Sequence, residues 1–343
     1  MSVDRQQVLL AVRRCGLDLS HASQAFQDDR EVVLEAVKQN GGALGYASVA
    51  LQNDLAVVLA AVKCYGWALQ YASAALKADR AVVLAAIKCC GWSLHYTSDT
   101  LKNDREVVLA AVTLHGAALE DASATLQNDR GVVIAAVKQE SWALQYASET
   151  LQNDRAIVLA AVKESGRTLA YASATLQNDR GVVLTAVKQH GATLRFASDT
   201  LKDDREVAIA AIKQAGHALE FLSTALKDDR ELVLGVVKQH GWTLRYVSET
   251  LQNDNGLRLL RDASCGLPCD FTATLKKYRT LCFTWDTDDQ KAFTDVLPHV
   301  CSVLAERGWR DLASQVQSLC EELHHPDAPL AKRFKHDYTT AFG

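Results

Sequence analysis

Between residues 4 and 254 the apolar and polar positions recur in a block of fixed length. Asp4, Asp29, Asp54, Asp79, Asp104, Asp129, Asp154, Asp179, Asp204, Asp229 and Asp254 stand 25 residues apart without an insertion or deletion. With that Asp as position 1, ten complete units run from Asp4 to Asn253. Positions 4 to 9 form a nearly continuous apolar run, as in Val182 to Val187, and Lys or Arg follows at position 10 in most units. Leucine holds position 16 and serine position 20 in all ten units, while glycine holds position 13 in nine, with Ser141 the exception.

This pattern predicts two helices per unit. Asp at position 1 is an N-cap for a helix A of about eleven residues, roughly 16 Å long. The base at position 10 suits the helix dipole, and glycine at position 13 fits a left-handed stop. Helix B is expected over positions 15 to 24, because Leu194, Ala197, Ser198 and Leu201 fall on one stripe by helical spacing. Neither helix buries its apolar face alone, and stacked neighbours bury both. The fold class is therefore all-α: a right-handed or superhelical α-solenoid of ten 25-residue two-helix repeats with a small helical C-terminal region. The array takes residues 1–254 and the C-terminal cap and small domain residues 255–343. Polar ends are expected, with Gln6 and Gln7 at the start, and Arg258 and Arg261 on the helix that follows Asp254.

Composition narrows the function. A net charge of -4 and a pI near 6.2 give no electrostatic footprint for nucleic acid or acidic membranes. No segment approaches the roughly 18 apolar residues of a membrane span, and the five-residue apolar stretch in MSVDRQQVLLAVRR is not expected to act as a signal peptide. Nine cysteines in that setting read as reduced thiols in the cytoplasm, with the nucleus as the alternative.

The unit L-x-N-D-R-x-V-V-L-A-A-V-K-x-x-G-x-x-L-x-Y-A-S, carried by LKNDREVVLAAV (101–112), GWALQYAS (66–73) and LQNDRAIVLAAVK (151–163), resembles a 25-residue helical repeat family catalogued as a domain of unknown function. That family is common in single-celled eukaryotes, algae and some host-associated bacteria. The resemblance covers residues 1 to about 260 and implies a protein-binding repeat with no activity, cofactor or catalytic residue to carry over.

A catalytic group must be singular, so groups present in every unit read as architecture. The Asp ladder is capping, and the Arg at position 2, present in nine units, pairs with neighbouring carboxylates; a phosphate-binding ladder is the alternative. The Ser at position 20 is expected to bond a carbonyl one turn back. Cys64 and Cys89 share position 11, too far apart for a disulfide. Cys265 and Cys269 form a single close pair, too few for zinc, and Asp286, Asp288 and Asp289 lack an EF-hand's glycine and glutamate. No enzyme activity, metal or cofactor is expected.

Function then belongs where units differ. Trp67, Trp92, Trp142 and Trp242 at position 14 are the candidate partner anchors, with inter-repeat packing as their other reading. Tyr65, His115, His190 and His240 at position 12 and His95, Glu120, Arg195 and Arg245 at position 17 complete the varying strip. Glu120 is expected beside His95 of the preceding unit, a pH-sensitive pair. The leading expectation is a non-catalytic scaffold binding a protein or extended peptide. The alternatives are an RNA-reading helical array, which the charge balance disfavours, and a module positioning an enzyme carried by a partner.

Overall fold

The computed structural model describes residues 5–266, 268–282, 285 and 287–324. Asp4, the side chain of Cys269, and Asp286 lie outside the described residues. The described chain is all-α, with repeating helical units followed by C-terminal helices. It divides into two compact units, Met1–Thr185 and Ala186–Gly343.

Each 25-residue unit contains three helical pieces where two were expected. In the second repeat a ten-residue α-helix runs Arg30–Gln39, one extended residue follows (Asn40, φ -149°, ψ 109°), and a six-residue 3₁₀ helix runs Gly41–Tyr46. Ala47 and Ser48 are extended, and a single α-turn, Val49–Gln52, closes the repeat. The expected helix B is thus broken at position 20. Ser48 acts as the cap of the short turn, its Oγ accepting the Leu51 N–H at 3.4 Å. Serine competes for backbone amides in this way, and a capping serine interrupts the stripe that the apolar spacing suggests.

Glycine at position 13 is not a left-handed stop. Among the described residues only Gly308 has a positive φ, 78°. Position 13 needs glycine because the next repeat's backbone lies against it. A Cβ on Gly66 would sit 2.7 Å from the Ala86 carbonyl oxygen, and one on Gly91 2.6 Å from that of Ala111. Gly16, Gly41 and Gly116 meet the Ala36, Ala61 and Ala136 carbonyls in the same manner. Small residues at position 8 and no side chain at position 13 let successive repeats close up.

In Met1–Thr185 the capping aspartate also binds the repeat before it. Asp54 Oδ1 accepts the Ala56 and Val57 amides at 2.9 and 3.0 Å, and Oδ2 accepts from Arg30 Nε at 2.9 Å. Arg5–Asp29, Arg80–Asp104, Arg105–Asp129, Arg130–Asp154 and Arg155–Asp179 repeat the pairing. These guanidinium groups hold the carboxyls of Asp29, Asp54, Asp129 and Asp179 below the usual aspartate range. Serine at position 20 likewise reaches across: Ser73, Ser123, Ser148 and Ser173 donate to Asn53, Asn103, Asn128 and Asn153 at 2.5–2.6 Å. That cross-repeat bond replaces the expected bond to a carbonyl one turn back. Under these ladders Val57, Val58, Ala61, Val62 and Leu69 are wholly buried, as are their equivalents in neighbouring repeats. At the start of the array Gln6 and Gln7 are exposed.

In Ala186–Gly343 the same pairings recur at Arg205–Asp229 and Arg230–Asp254. Helix Asn255–Cys265 is an eleventh copy of the long helix, capped by Asp254, but it does not present a polar end. Helix Thr287–Glu306 packs along it, with Val296 against Gly256. Arg258 and Arg261, expected on an open face, instead bond Gln252, Asn253 and Asp262. Arg230 donates to the Ala292 carbonyl at 2.6 Å, Lys238 to Ser302 at 3.1 Å and Arg307 to the Ala263 carbonyl at 2.8 Å. Phe271, Phe293, Leu297 and Leu319 fill the interior of these last helices.

Two substitutions test this architecture. Gly41→Ala drives a methyl into the Ala61 carbonyl and lowers unfolding stability by about 1–3 kcal/mol, whereas Gly42→Ala, beside only Asn40 Oδ1, changes it by under about 0.5 kcal/mol. Leu55 stands where other repeats have arginine, so Leu55→Arg supplies Asp79 with a partner and raises stability by about 0.5 kcal/mol. Urea unfolding followed by circular dichroism reads both, and the second gain shrinks in high salt.

Candidate functional site

The residues that vary between repeats fall into two groups. Positions 11 and 12 close the preceding repeat. The Gly91 N–H donates to His115 Nδ1 at 3.2 Å, the Ala117 N–H to the Glu140 carboxylate at 2.9 Å, and the Gly66 N–H to Cys89 Sγ at 3.3 Å. Gln139 donates to the Leu114 carbonyl at 3.2 Å. In the second compact unit the Gly191 N–H donates to Gln214 Oε1 at 2.6 Å, and Gln214 Nε2 donates to the Gln189 carbonyl at 2.7 Å. Free amides at a 3₁₀ start and free carbonyls at a helix end need partners, and His, Glu, Gln or Cys all serve. Much of the variation at positions 11 and 12 is therefore interchangeable capping.

That assigns three histidine candidates an inward task. His115 caps Gly91 and packs beside Trp92, with ring centroids 6.1 Å apart. The ring of His240 lies against Gly216, 2.8 Å from where a Cβ would be. His190 is half-buried, with Nδ1 out of solvent. Tyr65, at the same position, is 45% exposed.

The tryptophans divide. Trp67 is half-buried, donates from Nε1 to Cys90 Sγ at 3.1 Å and meets Tyr96 edge-on at 5.8 Å. Trp92 is half-buried as well. Trp142 and Trp242 are 40% and 42% exposed, each set edge-on to the tyrosine of its own repeat, Tyr146 and Tyr246, at 6.1 Å. Packing accounts for much of the first pair's surface, and the second pair keeps ring surface free.

Position 17 points outward along the 3₁₀ layer, and its neighbour is position 18 of the next repeat. His95 Nδ1 lies 2.7 Å from Asp121 Oδ1, with Lys102 Nζ 3.7 Å from the same oxygen. His95 thus pairs with Asp121 and not, as expected, with Glu120. A 3₁₀ helix turns 120° per residue, which swings Glu120 past the histidine. Glu120 accepts instead from the Tyr146 hydroxyl, whose pKa is raised by burial and by that carboxylate. Arg195 lies over Phe196 at 4.4 Å, and Arg245 over Tyr246 at 4.7 Å and Trp242 at 5.4 Å. Sequence reasoning missed Tyr46 and Tyr71 at position 18, which are 45% and 38% exposed, because a continuous helix B was assumed to set the faces.

Among the described residues no group of three or more His, Cys, Asp or Glu side chains is placed to hold a metal, and no helix is long and apolar enough to cross a membrane. Cys64 and Cys89 are free thiols, both exposed.

The fold and its surface define an all-α protein of stacked short helical repeats. Residues 4–52, 54–88, 79–127, 129–177 and 179–227 match the family described as a domain of unknown function, DUF4116, and the chain belongs to that family. Four of these stretches, 4–52, 79–127, 129–177 and 179–227, cover two consecutive 25-residue repeats, consistent with a unit that must stack to bury its core. No curated protein and no solved structure matches the chain.

The two kinds of tryptophan separate on substitution. Trp67→Ala lowers stability by about 2 kcal/mol, whereas Trp142→Ala lowers it by under about 1 kcal/mol. Similar losses in denaturant titrations of the two variants would refute the distinction.

Proposed function

We propose that this protein is a non-catalytic scaffold that holds a protein or an extended peptide along the strip that positions 12, 14, 17 and 18 form within each compact unit. The observation carrying this reading is the set of exposed aromatic side chains at these positions: Tyr46, Tyr65, Tyr71 and Trp142 in Met1–Thr185, and Trp242 in Ala186–Gly343. Tyrosine and tryptophan bury much area at small entropic cost, and with arginine they dominate the energetics of protein interfaces. Residues repeated in every unit are occupied with capping and packing, which leaves this strip to distinguish partners. The reading puts the protein in the cytoplasm or nucleus, where the exposed thiols of Cys64 and Cys89 stay reduced.

An affinity pull-down with the full chain and with a Tyr65→Ala, Trp142→Ala, Trp242→Ala variant tests the proposal. The intact chain should retain a partner protein, and the variant should lose at least about tenfold in recovery. Equal recovery removes the aromatic strip from the interface, and retention of RNA in place of protein, released by moderate salt, replaces the scaffold reading with RNA binding.

A further inference from the structure

The compact unit Ala186–Gly343 carries a charge pattern on its surface strip that the aromatic anchors do not explain. Position 17 of its three repeats is Arg195, Glu220 and Arg245, and all three side chains are exposed. The 3₁₀ helices that bear them, Gly191–Phe196, Gly216–Phe221 and Gly241–Tyr246, touch in succession. The rings of position 18, Phe196, Phe221 and Tyr246, are half-buried beneath them.

Both arginines are held in place. Arg195 stacks on Phe196 at 4.4 Å, while Arg245 stacks on Tyr246 at 4.7 Å and donates to its hydroxyl at 2.6 Å. A guanidinium held over a ring has already lost much of its rotamer freedom, so less is lost when a carboxylate docks on it. Between the first two rungs lies a cavity of about 450 Å³ lined by Arg195, Asp199, Lys202, Glu220 and Phe221. Asp199 there is already paired with Lys202 at 3.1 Å. Position 21 carries acids beside the two arginine rungs, Asp199 and Glu249, and neutral Thr224 beside the Glu220 rung. A chain laid one row off the strip therefore sets its two acidic side chains against Asp199 and Glu249, which disfavours that placement.

We infer that Arg195, Glu220 and Arg245 take an extended peptide segment of a protein partner whose side chains run acidic, basic, acidic, one charge per repeat. Packed helical neighbours lie about 8–10 Å apart, and an extended chain in the polyproline II conformation advances about 3.1 Å per residue with three residues per turn, so every third side chain faces the strip. One rung thus corresponds to about three residues, giving the pattern acidic-x-x-basic-x-x-acidic. This inference rests on the scaffold reading and specifies the chemistry of its partner.

Two fluorescein-labelled peptides with polar spacers, one Glu-x-x-Lys-x-x-Glu and one Lys-x-x-Glu-x-x-Lys, test it by anisotropy against the full chain. The first should bind at least about tenfold more tightly, since reversing the pattern sets like charges together at every rung. A charge-reversed protein with Arg195→Glu, Glu220→Arg and Arg245→Glu should invert the preference, with circular dichroism confirming its fold. The single variant Glu220→Gln should narrow the preference without inverting it. Equal binding of the two peptides overturns the register, as does binding of neither while the pull-down still retains a partner; in both cases the scaffold reading stands. An empty pull-down in addition removes both.

Discussion

The structure depends on one close approach of backbone to backbone. Where the long helix of one repeat passes the 3₁₀ start of the repeat before it, the carbonyl at position 8 lies where a Cβ at position 13 would be. A side chain there would hold the layers apart and open the apolar seam between them. The approach explains why position 13 is glycine although its φ is ordinary, and why position 8 is alanine so often. Ser141 is the one departure among the ten repeats, and it is half-buried where the glycines are buried.

Closeness at that seam makes local capping a property of neighbours. Asp54 satisfies amides of its own helix with one oxygen and Arg30 of the preceding repeat with the other. Ser73 accepts within its own turn and donates to Asn53 of the repeat before. A repeat taken alone would leave its arginine, its asparagine and the amides of its 3₁₀ start to water. Stability then comes largely from interfaces, as expected of quasi-one-dimensional arrays. In Ala186–Gly343 the last interface is covered by helix Thr287–Glu306, so Arg230 and Lys238 find backbone and hydroxyl partners there.

Some of this was legible in the sequence and some was not. The aspartate caps, the Arg–Asp pairing and the buried leucine at position 16 follow from residue chemistry plus a strict period. The second half of the repeat was misread because Leu, Ala, Ser and Leu at positions 16, 19, 20 and 23 satisfy α-helical spacing. That spacing carries no sign that the chain is extended between two short helices. Serine at position 20 was the available clue, since a serine kept in every unit inside an apolar stripe suits a cap better than a helix interior. The same error placed Glu120 beside His95. A 3₁₀ helix eclipses every third residue, and its rungs meet one position further on, at Asp121.

Once the short helices are placed, repeated and varying residues no longer coincide with structural and functional ones. Cys89, His115, Glu140 and Gln214 vary in identity yet all cap a neighbour's backbone. Variation of that kind reflects how many side chains can accept one N–H. Positions 14 and 17 are different, because among the described residues no one bond to the next repeat recurs there and exposure at position 14 ranges from half-buried Trp67 to exposed Trp142. A strip free of a common structural task can diverge rung by rung while the 25-residue period keeps the rungs equivalent. Such a surface suits a ligand with its own regular rise, and an extended polypeptide has one.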